Sequence, residues 1–381
     1  MLTKMRIKNF GSFKQETTID LKKTNYKILS DTNVSNGVLK GGIFVGANAS
    51  GKTTVIKAMA KLLRLLFKEE QPRFINDFCL FSDDTNMILE YTFEISSSCI
   101  QYYIEYDRIS DILIEKLYLD GSILIDRIGD TGKSNITENP IFEGLDNDSL
   151  LIREIYFNTK FRGYNTLKKW FEFLLNSIYI NAYDKTIYMG KKDPITIKPF
   201  IEKYGVEPIN NFFEKLNFEQ RIEYCDECYG NRFAIKSEEQ KAIFFKRKGI
   251  GEPIPYFLES LGNKTLLNLL PSFFYCVQND GMLIIDEFSS GLHNKLEELL
   301  VKFFMTNSNN SQLFLVSHST NLLSNSIFRP DQIYITEFKD SGSQIRRASE
   351  ERPREAQNIE KMYLGGVFGG IPDYNYEEAS N

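Results

Sequence analysis

One glycine-rich stretch constrains this chain more than any other. Residues 42–60 are GIFVGANASGKTTVIKAMA, in which Gly46, Gly51, Lys52 and Thr53 occupy the defining positions of G-x-x-x-x-G-K-T. An apolar run precedes the motif and a helical pattern follows it, which is the strand–loop–helix context that this motif requires. Glycines let the backbone curl so that successive N–H groups point inward, and the start of the next helix adds further unpaired N–H groups. The stretch therefore predicts a phosphate loop that binds a nucleoside triphosphate.

The side chains in and after this loop have distinct predicted roles. Lys52 is expected to reach the β- and γ-phosphates, and the Thr53 hydroxyl is expected to bind Mg²⁺. Ser50 and Thr54 lie on either side of this pair and are expected to contribute to nucleotide binding. The predicted ligands are ATP and Mg²⁺.

A second motif follows much later in the chain, where Met282-Leu-Ile-Ile ends in Asp286 and Glu287. Four consecutive apolar residues are typical of a strand buried in a parallel sheet. Asp286 at the carboxyl end of such a strand is expected to hold Mg²⁺ together with Thr53. Glu287, one residue further, is expected to orient and deprotonate the attacking water. Apolar strands that end in Asp-Glu also occur as structural edges, but the phosphate loop favours the catalytic interpretation.

Two further motifs supply candidate site residues. His318 follows the apolar run LFLVS, and at the end of a strand it could donate a hydrogen bond to the γ-phosphate. A buried structural histidine is the alternative, and the position of His318 downstream of Asp286 favours the functional one. Ser260 and the backbone of Gly262 precede a predicted helix and are expected to present a hydroxyl and N–H groups to phosphate. The alternative for Ser260 is a simple helix N-cap.

The motifs together resemble a known family. A phosphate loop with Asn48, ESLGNK, IIDE, SSGLH and LVSHST, in this order, is similar to the ABC-type ATPases of the RecF/SMC/OLD group. The resemblance covers about residues 1–66 and 245–371. The stretches MRIKNFGSFKQETTIDL, RPDQIYITE and NIEKMYLGGVFGGIPDY resemble the compact AAA-type ATPases of prokaryotic phage-defence (abortive infection) operons. The implied fold is α/β, a P-loop NTPase of ABC-ATPase type with an inserted, mainly helical lobe, and the implied ATP site includes Asn48.

The resemblance also implies an assembly. Ser260 would meet the γ-phosphate bound by the opposite protomer, so that two ATP molecules are sandwiched in a head-to-tail homodimer, which could assemble further. Residues 289–293 would cross that interface, and His318 would be the switch histidine. The family often has a basic residue where this chain has Gly11, with Lys14 as a possible substitute. No glutamine lid can be assigned.

The predicted domain organisation is an ATPase domain split by an insertion. Residues 129–148 are rich in glycine, asparagine and aspartate and are predicted to be loop. The predicted segments are the ATPase domain at 1–66 and 245–371, the inserted region at 67–244 with a strand meander at about 86–126 and a helical lobe at about 149–217, and a C-terminal tail at 372–381.

Composition limits the partners. The net charge of −5 gives the chain no overall basic field for nucleic acid, although short basic clusters leave DNA contact possible. The chain shows no export signal and no apolar run long enough to span a bilayer, so no membrane partner is expected. Five cysteines without an export signal are expected to be free thiols in a reducing cytoplasm.

Two of these cysteines, Cys225 and Cys228, form a C-x-x-C motif. A zinc site needs four ligands, and no second cysteine pair or nearby histidine supplies them. A plain surface turn is the favoured interpretation, and zinc shared across a dimer is the alternative.

The favoured function is that of an ATPase sensor or regulatory subunit of an anti-phage defence system. OLD-type relatives carry a nuclease domain after the ATPase, whereas about sixty residues follow His318 here and contain no D-x-D motif. A nuclease or toxin effector is therefore expected to act in trans, from a neighbouring gene. The alternative is a RecF/SMC-like DNA-repair ATPase that binds duplex DNA, although the acidic balance weighs against it. A transporter ATPase is disfavoured because the inserted lobe does not resemble that class.

Overall fold

The structure, a computed structural model, describes residues 1–68, 74–147, 149–190, 195–238 and 241–371. Its helices are α1 (Ser30–Asn33), α2 (Lys52–Phe67), α3 (Leu151–Thr159), α4 (Asn165–Leu175), α5 (Ile197–Tyr204), α6 (Glu207–Lys215), α7 (Leu261–Gln278), α8 (Asn294–Asn307) and α9 (Ile359–Leu364). Across those ranges, none of the helices combines the length and the apolar character that crossing a membrane requires.

The strands are β1 (Leu2–Lys8), β2 (Thr17–Asp20), β3 (Val34–Ser35), β4 (Val38–Leu39), β5 (Gly41–Gly46), β6 (Asn86–Ile95), β7 (Ser98–Asp107), β8 (Ile112–Leu119), β9 (Ser122–Ile128), β10 (Thr131–Ser134), β11 (Ile141–Phe142), β12 (Ile178–Asn181), β13 (Thr186–Met189), β14 (Gln220–Cys225), β15 (Glu227–Tyr229), β16 (Ala234–Lys236), β17 (Ala242–Arg247), β18 (Ile254–Pro255), β19 (Met282–Asp286), β20 (Gln312–Val316), β21 (Ile333–Lys339) and β22 (Gly342–Arg347).

The chain forms two compact units. The first comprises Met1–Lys192, Cys276–Ser289 and Asn294–Asn381, and the second comprises Asp193–Tyr275 and Ser290–His293. The bounds of the predicted insertion, 67–244, coincide with those of neither unit. Much of this segment pairs with strands from the two ends of the chain. The predicted tail at 372–381 lies outside the described residues.

A seven-stranded sheet organises the first unit, in the order β13-β12-β19-β20-β5-β21-β22. The five inner strands run parallel, and β13 and β22 pair antiparallel at the edges. β19 and β20 are buried along their whole length, which explains why their sequences are continuous apolar runs rather than alternating ones. The helix α2 packs against this sheet through an apolar face that includes Val55, Ile56, Met59, Leu62 and Leu63.

An eight-stranded antiparallel sheet forms the other layer of the first unit, in the order β11-β10-β9-β8-β7-β6-β1-β2. The segment predicted to be a strand meander contains β6 to β9, which continue from β1 within one sheet. Apolar residues on alternate positions of these strands share a core with α2 and α4, in which Trp170 lies against Phe93 and Tyr102. The prediction of loop throughout 129–148 is wrong, because β10 and β11 extend the sheet through this segment.

The second unit contains α5, α6 and a three-stranded sheet in the order β14-β17-β18. The short hairpin β15–β16 follows β14 after a bend at Asp226. Buried aromatic residues hold the helices of this unit together, since Phe274 lies against Phe200 and Phe212. Strands β12 and β13 also occur within the predicted helical lobe, but they belong to the sheet of the first unit.

Candidate nucleotide site

The sheet of the first unit gathers the predicted site residues at one edge. Parallel strands end on the same side of a sheet, and the carboxyl ends of β5, β19 and β20 lead into the phosphate loop, Asp286 and His318 respectively. We call this side the carboxyl edge. A bond from the Phe288 N–H to the Val316 carbonyl, 2.9 Å long, ties the segment after β19 to the end of β20. The parallel order of the strands therefore brings together residues that are more than 200 positions apart in the chain.

Two glycines of the phosphate loop are required by their surroundings. Gly46 has φ +151°, and a Cβ built on it would lie 2.2 Å from the Thr336 carbonyl oxygen. Gly51 has φ +108°, and a Cβ there would lie 2.4 Å from the Ser343 hydroxyl. Both backbone conformations disfavour other residues, and both sites lack space for a side chain. The loop is thus held against β21 and β22 on one side, and the chain continues from the loop into the start of α2.

The Lys52 side chain lies across the phosphate loop. The Lys52 ammonium donates to the carbonyls of Gly46 (3.0 Å) and Ala47 (2.8 Å), so its side chain spans the loop. Burial lowers the pKa of Lys52, and the nearby carboxylates Glu287 and Asp286 oppose this shift. The loop as a whole presents a cation at the point where phosphate charge would be placed.

Ser50 and Asn48, both predicted to bind nucleotide, differ in burial. The buried Ser50 hydroxyl lies 2.6 Å from the Thr336 hydroxyl, which donates to the Val45 carbonyl. Ser50 therefore fastens the loop to β21, whereas Asn48 is exposed at the loop tip.

Thr53 and Asp286 form the candidate metal site. The Thr53 hydroxyl donates to the Asp286 carboxylate over 3.1 Å, although the two residues are 233 positions apart in the chain. Burial raises the pKa of Asp286, with a smaller rise from Glu287, while the Thr53 hydrogen bond and Lys57 oppose the shift. One hydroxyl and one carboxylate are hard oxygen ligands of the kind that Mg²⁺ takes when it keeps several waters and phosphate oxygens. The residues present fit Mg²⁺.

Glu287 and His318 lie side by side on the solvent side of this pair. The His318 Nε2 is 3.9 Å from the Glu287 carboxylate, and the two side chains are 45% and 36% exposed. Glu287 has φ +55°, a left-handed conformation that is uncommon for residues other than glycine. Burial and the Lys52 charge lower the pKa of His318, against the opposing effect of Glu287. This shift favours the neutral imidazole, which can donate one hydrogen bond and accept another.

Ser260 and Gly262 lie in the second unit, at the start of α7. The exposed Ser260 hydroxyl accepts from the Asn263 N–H over 3.3 Å, which is the bond that an N-cap makes. A Cβ on Gly262 would lie 2.9 Å from the Gly291 carbonyl oxygen, so a side chain there would press on residues 290–293. The N-cap alternative for Ser260 is therefore observed, and its phosphate-binding role stays a prediction.

The sequence interpretation missed a line of hydroxyls beside Thr54. The Ser12 hydroxyl donates to that of Thr54 (3.1 Å) and accepts from that of Ser343 (2.6 Å). Gly11 has φ +58°, and a Cβ there would lie 2.5 Å from the Thr54 methyl group, which explains why a larger residue is absent at this position. No sequence pattern pointed to Ser343, because β22 reaches the loop only through the sheet.

Asn181 is the second missed residue. It ends β12, opposite Asp286 in the parallel register, and the Ala182 N–H donates to the Asp286 carbonyl over 3.0 Å. The Asn181 side chain accepts from the N–H groups of Tyr183 and Asp184, so it closes a turn at the carboxyl edge. The signal available was the apolar run Ile178–Ile180, which lies within the segment at about 149–217 that was predicted to be a helical lobe.

Comparison of the sequence with known protein families shows the family to which the chain belongs. Residues 43–324 match the family described as "AAA domain, putative AbiEii toxin, Type IV TA system". That range covers well over half of the chain. The chain belongs to this family. A comparison with the curated proteins finds no match.

Solved structures show the fold of this AAA-domain protein. The SMC head domain from Thermotoga maritima is 16% identical with a TM-score of 0.50, covering 91% of this chain and 98% of that one. An SmcHead bound to the C-winged helix domain of ScpA is 14% identical with a TM-score of 0.50, at coverages of 95% and 99%. The Smc head domain derived from Pyrococcus furiosus, with an extended coiled coil and bound to the C-terminal domain of ScpA, is 13% identical with a TM-score of 0.50, at coverages of 96% and 99%.

Family and fold agree with the sequence resemblance. The protein is a member of this AAA-domain family, and its mixed α/β fold is similar to that of the SMC head domains. The predicted fold class is confirmed.

Proposed function

We propose that this protein binds MgATP at the carboxyl edge of its seven-stranded sheet and hydrolyses it. The observation that carries the proposal is the 3.1 Å pairing of Thr53 with Asp286 directly beneath the glycine loop. It supports the proposal because hard oxygen ligands beside the N–H groups of a glycine loop are the arrangement that phosphoryl transfer requires.

Each residue has a separate task in this proposal. The loop N–H groups, the start of α2 and Lys52 bind the phosphates, and Thr53 and Asp286 hold Mg²⁺. When bound, Mg²⁺ would neutralise part of the negative charge of the phosphates. Glu287 accepts a proton from the attacking water, because its carboxylate is half-exposed at the mouth of the site. His318 donates a hydrogen bond to the γ-phosphate from its neutral imidazole.

Phosphate release from ATP tests this assignment. Lys52→Ala is expected to weaken ATP binding roughly 10- to 100-fold, because it removes a charge-assisted hydrogen bond. Glu287→Gln is expected to lower turnover about a hundredfold or more while ATP still binds, because it removes only the base. Lys23→Ala, at an exposed lysine outside the site, is the control and should behave as the wild type. Unchanged turnover in both site variants would contradict the assignment.

We further propose that ATP joins two copies of the chain, with Ser260 of one copy contacting the phosphate bound by the other. Three exposed apolar side chains surround Ser260, namely Phe257 (72%), Leu258 (68%) and Leu261 (58%). A polar group within an exposed apolar surface is typical of a protein–protein interface. Glu287→Gln with ATP should give dimers, or larger assemblies of dimers, by light scattering. Monomers at saturating ATP would contradict the sandwich.

The cellular role that we propose is a sensor or regulatory subunit of an anti-phage system whose nuclease or toxin effector is a separate chain. The family description names a putative toxin and a type IV TA system, which supports a partnership of two gene products. In the ranges that the structure describes, no cluster of three carboxylates that could hold nuclease metals occurs. We expect the product of an adjacent gene to co-purify with the Glu287→Gln variant in an ATP-dependent way.

Duplex DNA binding by the chain alone is the outcome that would favour a DNA-repair role instead. Such binding should fall steeply with salt, since it depends on counterion release. With a net charge of −5, we expect no salt-dependent binding of this kind.

A further inference from the structure

The second unit contains a cluster of metal-ligand side chains that the nucleotide site does not use. Glu223, Cys225 and Cys228 offer one carboxylate oxygen and two sulfur atoms, all within 4.8 Å of one another. Glu223 and Cys225 are two positions apart on β14, so they project from the same face of the strand. The bend at Asp226 turns the chain into β15 and brings Cys228 to that face. The C-x-x-C motif is thus completed by a carboxylate that precedes it.

We propose that Glu223, Cys225 and Cys228 of one chain bind a single Zn²⁺ ion, with the fourth position left to solvent.

The distances fit this ion. Tetrahedral zinc, with Zn–S of about 2.3 Å and Zn–O of about 2.0 Å, separates a sulfur and an oxygen ligand by about 3.5 Å. The Cys228 sulfur lies 3.2 Å from the Glu223 Oε2, to which it donates its proton. A cation that bridges the two atoms would replace this proton with little movement. Two thiolates with one carboxylate favour zinc over the harder Mg²⁺ and Ca²⁺.

The surroundings orient the carboxylate and balance its charge. The Lys246 ammonium lies 2.9 Å from the Glu223 Oε1, on the oxygen that does not face Cys228. Glu223 therefore presents Oε2 alone as a ligand, and the lysine fixes its orientation in the way that outer partners of metal ligands do. Three anionic ligands around Zn²⁺ leave one negative charge, which the Lys246 ammonium neutralises.

The alternative use of a cysteine pair is redox or nucleophilic chemistry, which the environment disfavours. Reactive cysteines are partly exposed, so that a substrate or an oxidant can reach the thiol. Cys228 is almost fully buried at 1% exposure, so an oxidant has little access to it.

Zinc content of the full-length chain, purified under reducing conditions, loaded with zinc alone and dialysed, tests the proposal. The wild type should retain about one zinc per chain, and the double substitution Cys225→Ser with Cys228→Ser should retain almost none. Glu223→Gln should bind more weakly. Cys99→Ser, at an exposed thiol outside the cluster, is the matched control and should keep its zinc.

Two further results would overturn the proposal. Half a zinc per chain in a zinc-dependent dimer would place the ion between copies. Equal zinc in the wild type and the double serine variant would place it elsewhere. Because the serine variants could misfold, cobalt substitution of the wild type gives a second readout. The proposal requires a thiolate-to-cobalt charge-transfer band, and its absence would refute the site without any substitution.

Discussion

Glu297 is expected to make the protein less stable as the pH rises through neutrality. This glutamate lies in the first turn of α8 with no measurable exposure, and its Oε1 accepts from the Ser319 hydroxyl over 3.0 Å. Its Oε2 has no hydrogen-bond partner in the parts of the chain that the structure describes. Burial raises the pKa of Glu297 to about 7 from 4.5, the Ser319 bond opposes this rise, and Glu298 adds to it. The neutral acid is the form that folding favours.

The sign and size of the effect follow from linkage. Between about pH 4.5 and 7 the folded chain binds more protons at this residue than the unfolded chain, so stability falls as the pH rises through that window. A difference of about 2.5 pKa units corresponds to at most about 3–4 kcal/mol at pH 8, at roughly 1.4 kcal/mol per unit. Local relaxation reduces this, and we expect about 1–3 kcal/mol.

Glu297→Gln should therefore be as stable as the wild type near pH 4.5 and more stable at pH 8. Glutamine keeps an oxygen to accept from Ser319 and does not titrate. Urea denaturation followed by fluorescence of Trp170 measures this, because Trp170 is the one tryptophan and lies in the same compact unit.

Glu351→Gln, at an exposed glutamate of the same compact unit, is the matched control and should leave the denaturation midpoint as in the wild type at both pH values. An equal shift of the denaturation midpoint by Glu297→Gln at both pH values, or a lower midpoint at pH 8, would rule out a titrating Glu297 as the cause.

Three other substitutions test separate parts of the structure. Gly51→Ala should cost about 1–3 kcal/mol and weaken ATP binding, because φ +108° and the nearby Ser343 hydroxyl exclude a methyl group; ATP binding equal to that of the wild type would contradict this. Arg329→Met should cost about 3–5 kcal/mol in urea denaturation, because it leaves the fully buried Asp331 without its ion pair; adding Asp331→Leu should recover part of the loss. Asn181→Ala should slow phosphate release with little change in ATP affinity, and unchanged release would remove Asn181 from the site.

The elements nearest the motifs could be predicted because their signals are local. The strand before Gly46, the helix after Lys52 and the strand ending at Asp286 each carry the periodicity of their own structure. The meeting of Thr53 and Asp286 followed from the rule that parallel strands end at one edge. The proximity of Thr53 and Asp286 is thus the part of the candidate site for which sequence reasoning was sufficient.

What the sequence could not show depends on pairing between distant strands. β12 has only four residues, and its neighbour β19 lies a hundred positions later, so no local pattern placed Asn181 beside Asp286. The same reason hid Ser343, which contacts the loop only because β22 pairs with β21. Glu223 was missed differently, since an isolated carboxylate in an alternating strand gives no signal until the chain bends back at Asp226.

We propose above that the glycine loop, Thr53 and Asp286 hold one magnesium-bound triphosphate. Equilibrium binding of ATP to the wild type and to Asp286→Asn, each with and without Mg²⁺, is the decisive measurement. Mg²⁺ should strengthen ATP binding to the wild type, and this gain should be lost in the variant, since an amide is a weaker ligand than a carboxylate. An equal gain from Mg²⁺ in both proteins would contradict it.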